Sequence, residues 1–207
     1  AARAVRAFAA GLLLAANLSI GAVADHKLGL AQLGVERWGP EAGLAGSWVR
    51  DIVEGPDGFI WIATSNGLSR FDGRSFANFS AANTPELPHN AINALAQSTD
   101  GRIWIGLAHG GVRVLVDGAI RREPAFDLLP EGTVVRDLLE DRSGVLWVAT
   151  DKGLWKIVAG SAEQVAPTGD GRAAVVYALF PSASGETWAR TARHGIWRIV
   201  EGHAVSV

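Results

Sequence analysis

The residues of this sequence best equipped for chemistry recur at two offsets from four tryptophans, Trp61, Trp104, Trp147 and Trp188. Upstream of each stands one of Arg50, Asn93, Arg136 and Tyr177. Two guanidiniums, an amide and a phenol can clamp hydroxyl groups or a carboxylate. The plainer alternative is a wet channel lining, or ion pairing of the arginines with the neighbouring Asp51 and Asp137. Downstream of the tryptophans stand Asn66, His109, Lys152, Arg193 and His194, variable residues of the kind that decorate exposed loops.

Other chemistries lack their constellations. His26, His89, His109, His194 and His203 show no close-spaced ligand pattern, and without cysteine there is neither a thiolate metal site nor a disulfide. Asp57 and Asp100 sit in turn sequences rather than as an acid–base pair. The glycines lie in turns with no helix following, so no phosphate loop is present. A net charge of −2 with scattered basic residues gives no nucleic-acid footprint. The expectation is therefore no catalytic residue, no metal, no cofactor and no nucleic-acid partner.

The elements that must position the eight candidates Arg50, Asn93, Arg136, Tyr177, Asn66, His109, Lys152 and His194 repeat with the tryptophans, at steps of 43, 43 and 41 residues (61 to 104 to 147 to 188). Such a period signals a propeller, solenoid or array. Each unit opens on an apolar strand: WVRDIVE, AINALAQ, VVRDLLE and VVYALFP. The turns GPDG, STDG, DRSG and SASG follow, rich in residues that reverse a chain tightly. A Trp-centred strand such as FIWIAT comes next, its apolar residues contiguous because both faces are covered. A second turn, a third strand such as LSRF and a weaker fourth segment, SFANFS or AEQVAP, complete the unit. Four short strands per unit, without helical periodicity, match a blade of an all-β β-propeller. The blades span about 48–90, 91–133, 134–174 and 175–207. Residues 25–47 form a lead-in whose Val35–Trp38 alternates apolar and polar like a lone closing strand. Four blades and that unpaired strand suggest the N-terminal part of a longer propeller. Residues 1–24 carry Arg3 and Arg6, an apolar run, and small residues at Ala22 and Ala24. That is the pattern of a secretory signal peptide, and Asn17, Ser19 and Gly21 weaken it as a membrane anchor.

The unit Asp/Ser-Gly-x-Leu/Ile-Trp-Ile/Val-Ala/Gly-Thr-x-x-Gly-Leu-x-Arg-Phe/Ile resembles the two-component regulator propeller repeat. DGFIWIATSNGLSRFDG and SGVLWVATDKGLWKI fit best. Blade 2 departs with Leu107 in place of Thr, and blade 4 with Thr187-Trp188-Ala189-Arg190 where apolar residues are usual. The resemblance implies a seven-bladed propeller in the periplasmic sensor of an inner-membrane receptor, acting as a homodimer. Downstream signalling domains would be a histidine kinase, hybrid kinase or diguanylate cyclase. It also implies a small-molecule ligand, an oligosaccharide in some branches. Two alternatives stand beside it. A secreted lyase resembling streptogramin lyase shares the Asp-Gly-x-Ile/Leu-Trp unit but lacks the continuation at Thr64–Phe71. A WD-type interaction scaffold would carry a Gly-His…Trp-Asp signature, which is missing here.

Overall fold

A computed structural model describes residues 36–165, 174–200 and 202–206. The expected signal peptide at 1–24 and Val35 of the expected lone strand lie outside them. Among the described residues sixteen strands form four sheets of four, each an antiparallel meander in chain order. Blade 1 comprises β1 (Val49–Glu54), β2 (Ile60–Thr64), β3 (Gly67–Phe71) and β4 (Phe76–Phe79). Blade 2 comprises β5 (Ile92–Gln97), β6 (Ile103–Leu107), β7 (Val112–Val116) and β8 (Ala119–Arg122). Blade 3 comprises β9 (Val135–Glu140), β10 (Leu146–Thr150), β11 (Gly153–Val158) and β12 (Ser161–Val165). Blade 4 comprises β13 (Val176–Pro181), β14 (Thr187–Thr191), β15 (Ile196–Val200) and β16 (His203–Ser206). The turn between the first two strands of every blade ends on a glycine with positive φ: Gly58 at 78°, Gly101 at 89°, Gly144 at 81° and Gly185 at 91°. A side chain with a Cβ is strained there, which accounts for the invariant glycine of the repeat.

Innermost strands pack in order, β1 on β5, β5 on β9 and β9 on β13. Among the described residues β13 does not pack back on β1 in that way, so the blades form an arc. Three apolar clusters fill the spaces between successive blades. Trp61 lies with Ile92, Leu95 and Ile105 of blade 2, Trp104 with Leu138 and Val148 of blade 3, and Trp147 with Val176 and Leu179 of blade 4. Each central tryptophan thus reaches forward into the next blade, where a ring of its size can fill the gap between twisted sheets. Trp188 has no following blade among the described residues and is only half-buried. At the other end Val49 is 43% exposed, whereas Ile92, Val135 and Val176 at the same repeat position are 0% exposed.

Carboxylates also join the blades. Asp51 Oδ2 accepts from Leu95 N at 2.8 Å, and Asp137 Oδ2 from Leu179 N at 2.7 Å. The other oxygen of each accepts the amide of the residue following it, Ile52 or Leu138, at 2.9 Å. Blades 2 and 3 use a different clasp: Glu140 accepts from Trp104 Nε1 at 2.7 Å, Ser98 Oγ at 2.9 Å and Thr99 N at 3.0 Å.

Burial pushes the Glu140 carboxyl up, but the bonds from Trp104, Ser98 and Thr99 outweigh it and hold the group below its ordinary value. A carboxyl whose folded pKa is depressed stabilises the fold above the unfolded value, and that stability is lost as pH falls through the folded one. Glu140→Gln should therefore lower stability at neutral pH by about 1–3 kcal/mol and by less at about pH 3. Urea midpoints across that range check it. A difference independent of pH would mean that the charge contributes nothing.

Of the strand expected at Val35–Trp38, Val35 lies outside the described residues, and Glu36, Arg37 and Trp38 pair with no strand among them. Trp38 instead sets its ring 4.9 Å from Phe71 and 5.9 Å from Phe76, and the chain turns at once through a 3-10 helix, Pro40–Ala42. Aromatic packing against the outer part of blade 1 holds this segment where strand pairing was expected.

Candidate functional site

Arg50, Asn93, Arg136 and Tyr177 occupy one structural position, and it is a special one. In blade 1 Val49 pairs with Thr64 and Asp51 with Ala63, leaving Arg50 with no partner across the ladder. The same register shift leaves out Asn93, Arg136 and Tyr177 in blades 2, 3 and 4. Each is the extra residue of a β-bulge near the start of the innermost strand. A bulge unpairs its residue and re-aims the side chain. Plain strand alternation had turned these side chains away from the preceding apolar residue, and the bulge adds a local bend to that geometry.

Asn66, His109, Lys152 and His194 sit on the turns between second and third strands. Those turns lie against the starts of the innermost strands: Ser65 N donates to Trp48 O at 3.2 Å, Ala108 N to Ala91 O at 2.9 Å, Asp151 N to Val134 O at 3.2 Å and Ala192 N to Val175 O at 2.9 Å. The antiparallel register therefore brings all eight residues to one face of the arc. Clefts on the opposite face, about 380 Å³ between blades 1 and 2 and about 490 Å³ between blades 3 and 4, include none of the eight in their lining.

Threonine hydroxyls brace three of the four turns. Thr64 Oγ1 donates to Gly67 O at 2.8 Å and accepts from Asn66 N at 3.1 Å. Thr150 repeats this with Gly153 and Lys152, and Thr191 with Gly195 and His194. In blade 2 Leu107 fills the threonine position with a fully buried side chain. There, Gly110 and Gly111 carry the turn at φ 97° and 77°, conformations open to glycine.

The two sets differ in their side-chain contacts. Asn93 Nδ2 donates to Val135 O at 2.8 Å, which ties blade 2 to the backbone just before Arg136. The Arg136 guanidinium carbon lies 4.8 Å from the centre of the Tyr177 ring, and that of Arg190 lies 5.0 Å from the same ring. The sequence marks Arg190 as a departure of blade 4 but not as a site residue, because its position holds Ala63, Gly106 and Ala149 in the other blades and reads as scaffold. The turn residues are more dispersed. Lys152 Nζ donates to the carbonyl of Glu131, the His109 ring stands 5.8 Å from that of His89, and His194 lies 6.4 Å from Trp197.

On the far face, Asp57 and Asp100 behave as turn residues, accepting the amides of Phe59 at 3.3 Å and Arg102 at 3.2 Å. The Arg102 guanidinium holds the Asp100 carboxyl down to about 2. Among the described residues no group of three or more His, Asp or Glu could hold a metal ion, and no helix is long and apolar enough to cross a membrane.

Comparison with known proteins bears on this architecture. A sequence profile described as "Two component regulator propeller" matches residues 43–66, 86–109 and 129–152, the first two strands of blades 1 to 3 with their leading connection and following turn. Histidine kinase P4 of Formosa agariphila is 31% identical over 87 residues, a match covering 38% of this chain and 6% of the kinase. The extracellular domain of a B. thetaiotaomicron protein described as a one-component system superposes with a TM-score of 0.62 at 21% identity, over 75% of this chain and 21% of that one. A streptogramin B lyase superposes with a TM-score of 0.61 at 19% identity, over 75% of this chain and 52% of the lyase. At these identities the two superpositions speak to the β-propeller fold alone. The chain spans only a small part of the kinase and of the extracellular domain. The first three blades thus carry two-component regulator propeller repeats.

Proposed function

We propose that this propeller is the ligand-sensing input module of a bacterial signal-transduction receptor. In this reading it is exported by the sequence at 1–24 and held in the periplasm of a membrane-anchored receptor. It binds a small molecule, such as an oligosaccharide, and passes occupancy to downstream signalling domains of the receptor, paired as a homodimer. The module itself performs no catalysis. The observation that carries this reading is the convergence of eight divergent polar residues on one face of an otherwise repetitive scaffold. Binding residues concentrate on loops and edges positioned by a rigid frame. The histidine kinase relative supports the signalling context.

The test uses the full-length receptor with Arg50 and Arg136 both replaced by alanine. The response to ligand should be abolished while folding, followed by circular dichroism and urea midpoint, is kept. Both side chains leave the strand at bulges, so their loss removes no ladder hydrogen bond. An unchanged dose response would remove them from the site. The lyase reading has only the likeness of fold in its favour, and ligand recovered chemically altered after incubation with the purified chain would establish it.

A further inference from the structure

The junction of blades 3 and 4 presents an arrangement that the repeat does not explain. Arg136 Nε is buried and has no hydrogen-bond acceptor among the described residues. Its guanidinium lies over Tyr177, and Arg190 brings a second guanidinium to the same ring. Two cations on one aromatic platform repel each other, and the ring quadrupole offsets only part of that. The nearest carboxylate in sequence, Asp137, directs its two oxygens to the amides of Leu138 and Leu179. The ion pairs of the described residues engage Arg102, Arg122, Lys156 and Arg198, and neither Arg136 nor Arg190 is among them.

Arg190 is out of place as scaffold. A Cβ added at Gly106, its counterpart in blade 2, would come 2.6 Å from Val135 Cγ1 of the next blade. Ala63 and Ala149 complete the set of small residues at that position, and both are fully buried. Arg190 is exposed instead, with its head turned to Tyr177. Meanwhile Asn93 fixes the backbone ahead of Arg136 by holding Val135 O. A preorganised pair of planar cations with an unsatisfied N–H matches an acceptor of opposite charge. Guanidinium forks bind carboxylate and sulfate bidentately, each N–H to one oxygen.

We propose that Arg136 and Arg190, carried on the Tyr177 platform, bind an oxyanion group, a carboxylate or a sulfate, of the molecule this face recognises. The assignment of a chemical class rests on reading this face as the sensing face. It makes Arg190 a binding residue, and it gives the bulge at Arg136 a specific task.

The experiment follows the Arg136 Nε–H resonance in the ¹⁵N-labelled chain at constant ionic strength. Titrations use sodium galacturonate, sodium sulfate, galactose and sodium chloride. A saturable shift with galacturonate or sulfate, and none with galactose or chloride, is expected; which of the two anions binds more tightly separates the carboxylate from the sulfate form. Arg190→Ala should weaken that binding about tenfold, the loss of one charge-assisted partner. Arg136→Lys, which keeps the charge but not the planar fork, should lose saturable binding of the same anion measured by calorimetry. A shift no larger with the oxyanions than with chloride overturns the proposal. So does a shift with galactose equal to that with galacturonate, although a sensor of neutral sugars would then survive. Conversely, anion binding in a receptor whose Arg50/Arg136 double variant still responds normally would uphold the oxyanion site and remove this face from the sensing role.

Discussion

Asp137→Ala is expected to lower the stability of this chain by about 2–6 kcal/mol, the cost of leaving two buried backbone donors without their acceptor. The Asp137 carboxylate is 2% exposed, and it accepts two backbone amides from different blades, Leu138 N in its own and Leu179 N in the next. Alanine leaves both donors buried, and each orphaned donor carries a desolvation penalty of about 1–3 kcal/mol. Asp137→Asn, which keeps one acceptor oxygen, should fall between wild type and alanine. Asp51→Ala removes the equivalent contact to Leu95 at a half-exposed site and should cost less. Urea unfolding of the three variants measures the order. A loss below about 1 kcal/mol for Asp137→Ala would mean that water or backbone movement replaces the bridge.

Trp147→Ala is the second large effect, at about 3–5 kcal/mol. Its ring is 3% exposed in the cluster between blades 3 and 4, and its Nε1 donates to Asp141 Oδ2 at 2.8 Å. Truncation would open a cavity between two sheets and remove a donor from a carboxylate that its hydrogen bonds hold below its usual range against burial. Trp188→Ala is the internal control: same repeat position, half-buried ring, and so a smaller loss. Equal losses at the two sites would show that forward packing into a following blade is not what makes these tryptophans matter.

The blades were legible in the sequence because turn glycines and contiguous apolar strands are local signals, and four copies reinforce one another. Innermost strands begin one residue later than their apolar pattern suggested, since Trp48, Ala91, Val134 and Val175 bond the turn through their carbonyls rather than joining the ladder. The bulges were not legible. Val-Arg-Asp at 49–51 reads as plain alternation, and no glycine marks the extra residue. Nor could sequence separation reveal the contacts between blades. Asp51 and Asp137 stand beside arginines and read as their ion-pair partners, yet their recorded bonds run to the amides of Leu95 and Leu179 in the next blade. Glu36, Arg37 and Trp38 show a related limit, since they alternate like a strand yet pair with none among the described residues. Alternation describes which faces a segment could show, but a strand exists only where another edge accepts it. Arg190 was legible as a departure of blade 4 but not as a site residue, because its exposure at a normally small position is visible only once neighbouring blades are in place.

The threonine-braced turns have a consequence for how such a protein can change. At Thr64 and Thr150 the hydroxyl and the glycine carbonyl define the loop through the backbone alone, and the side chains of Asn66 and Lys152 take no part in that brace. Those positions behave as sockets. A new side chain can be installed there without renegotiating the frame, so specificity and stability are inherited separately. A repeat built in this way can diversify what it recognises by single substitutions, one blade at a time, while its scaffold stays the same.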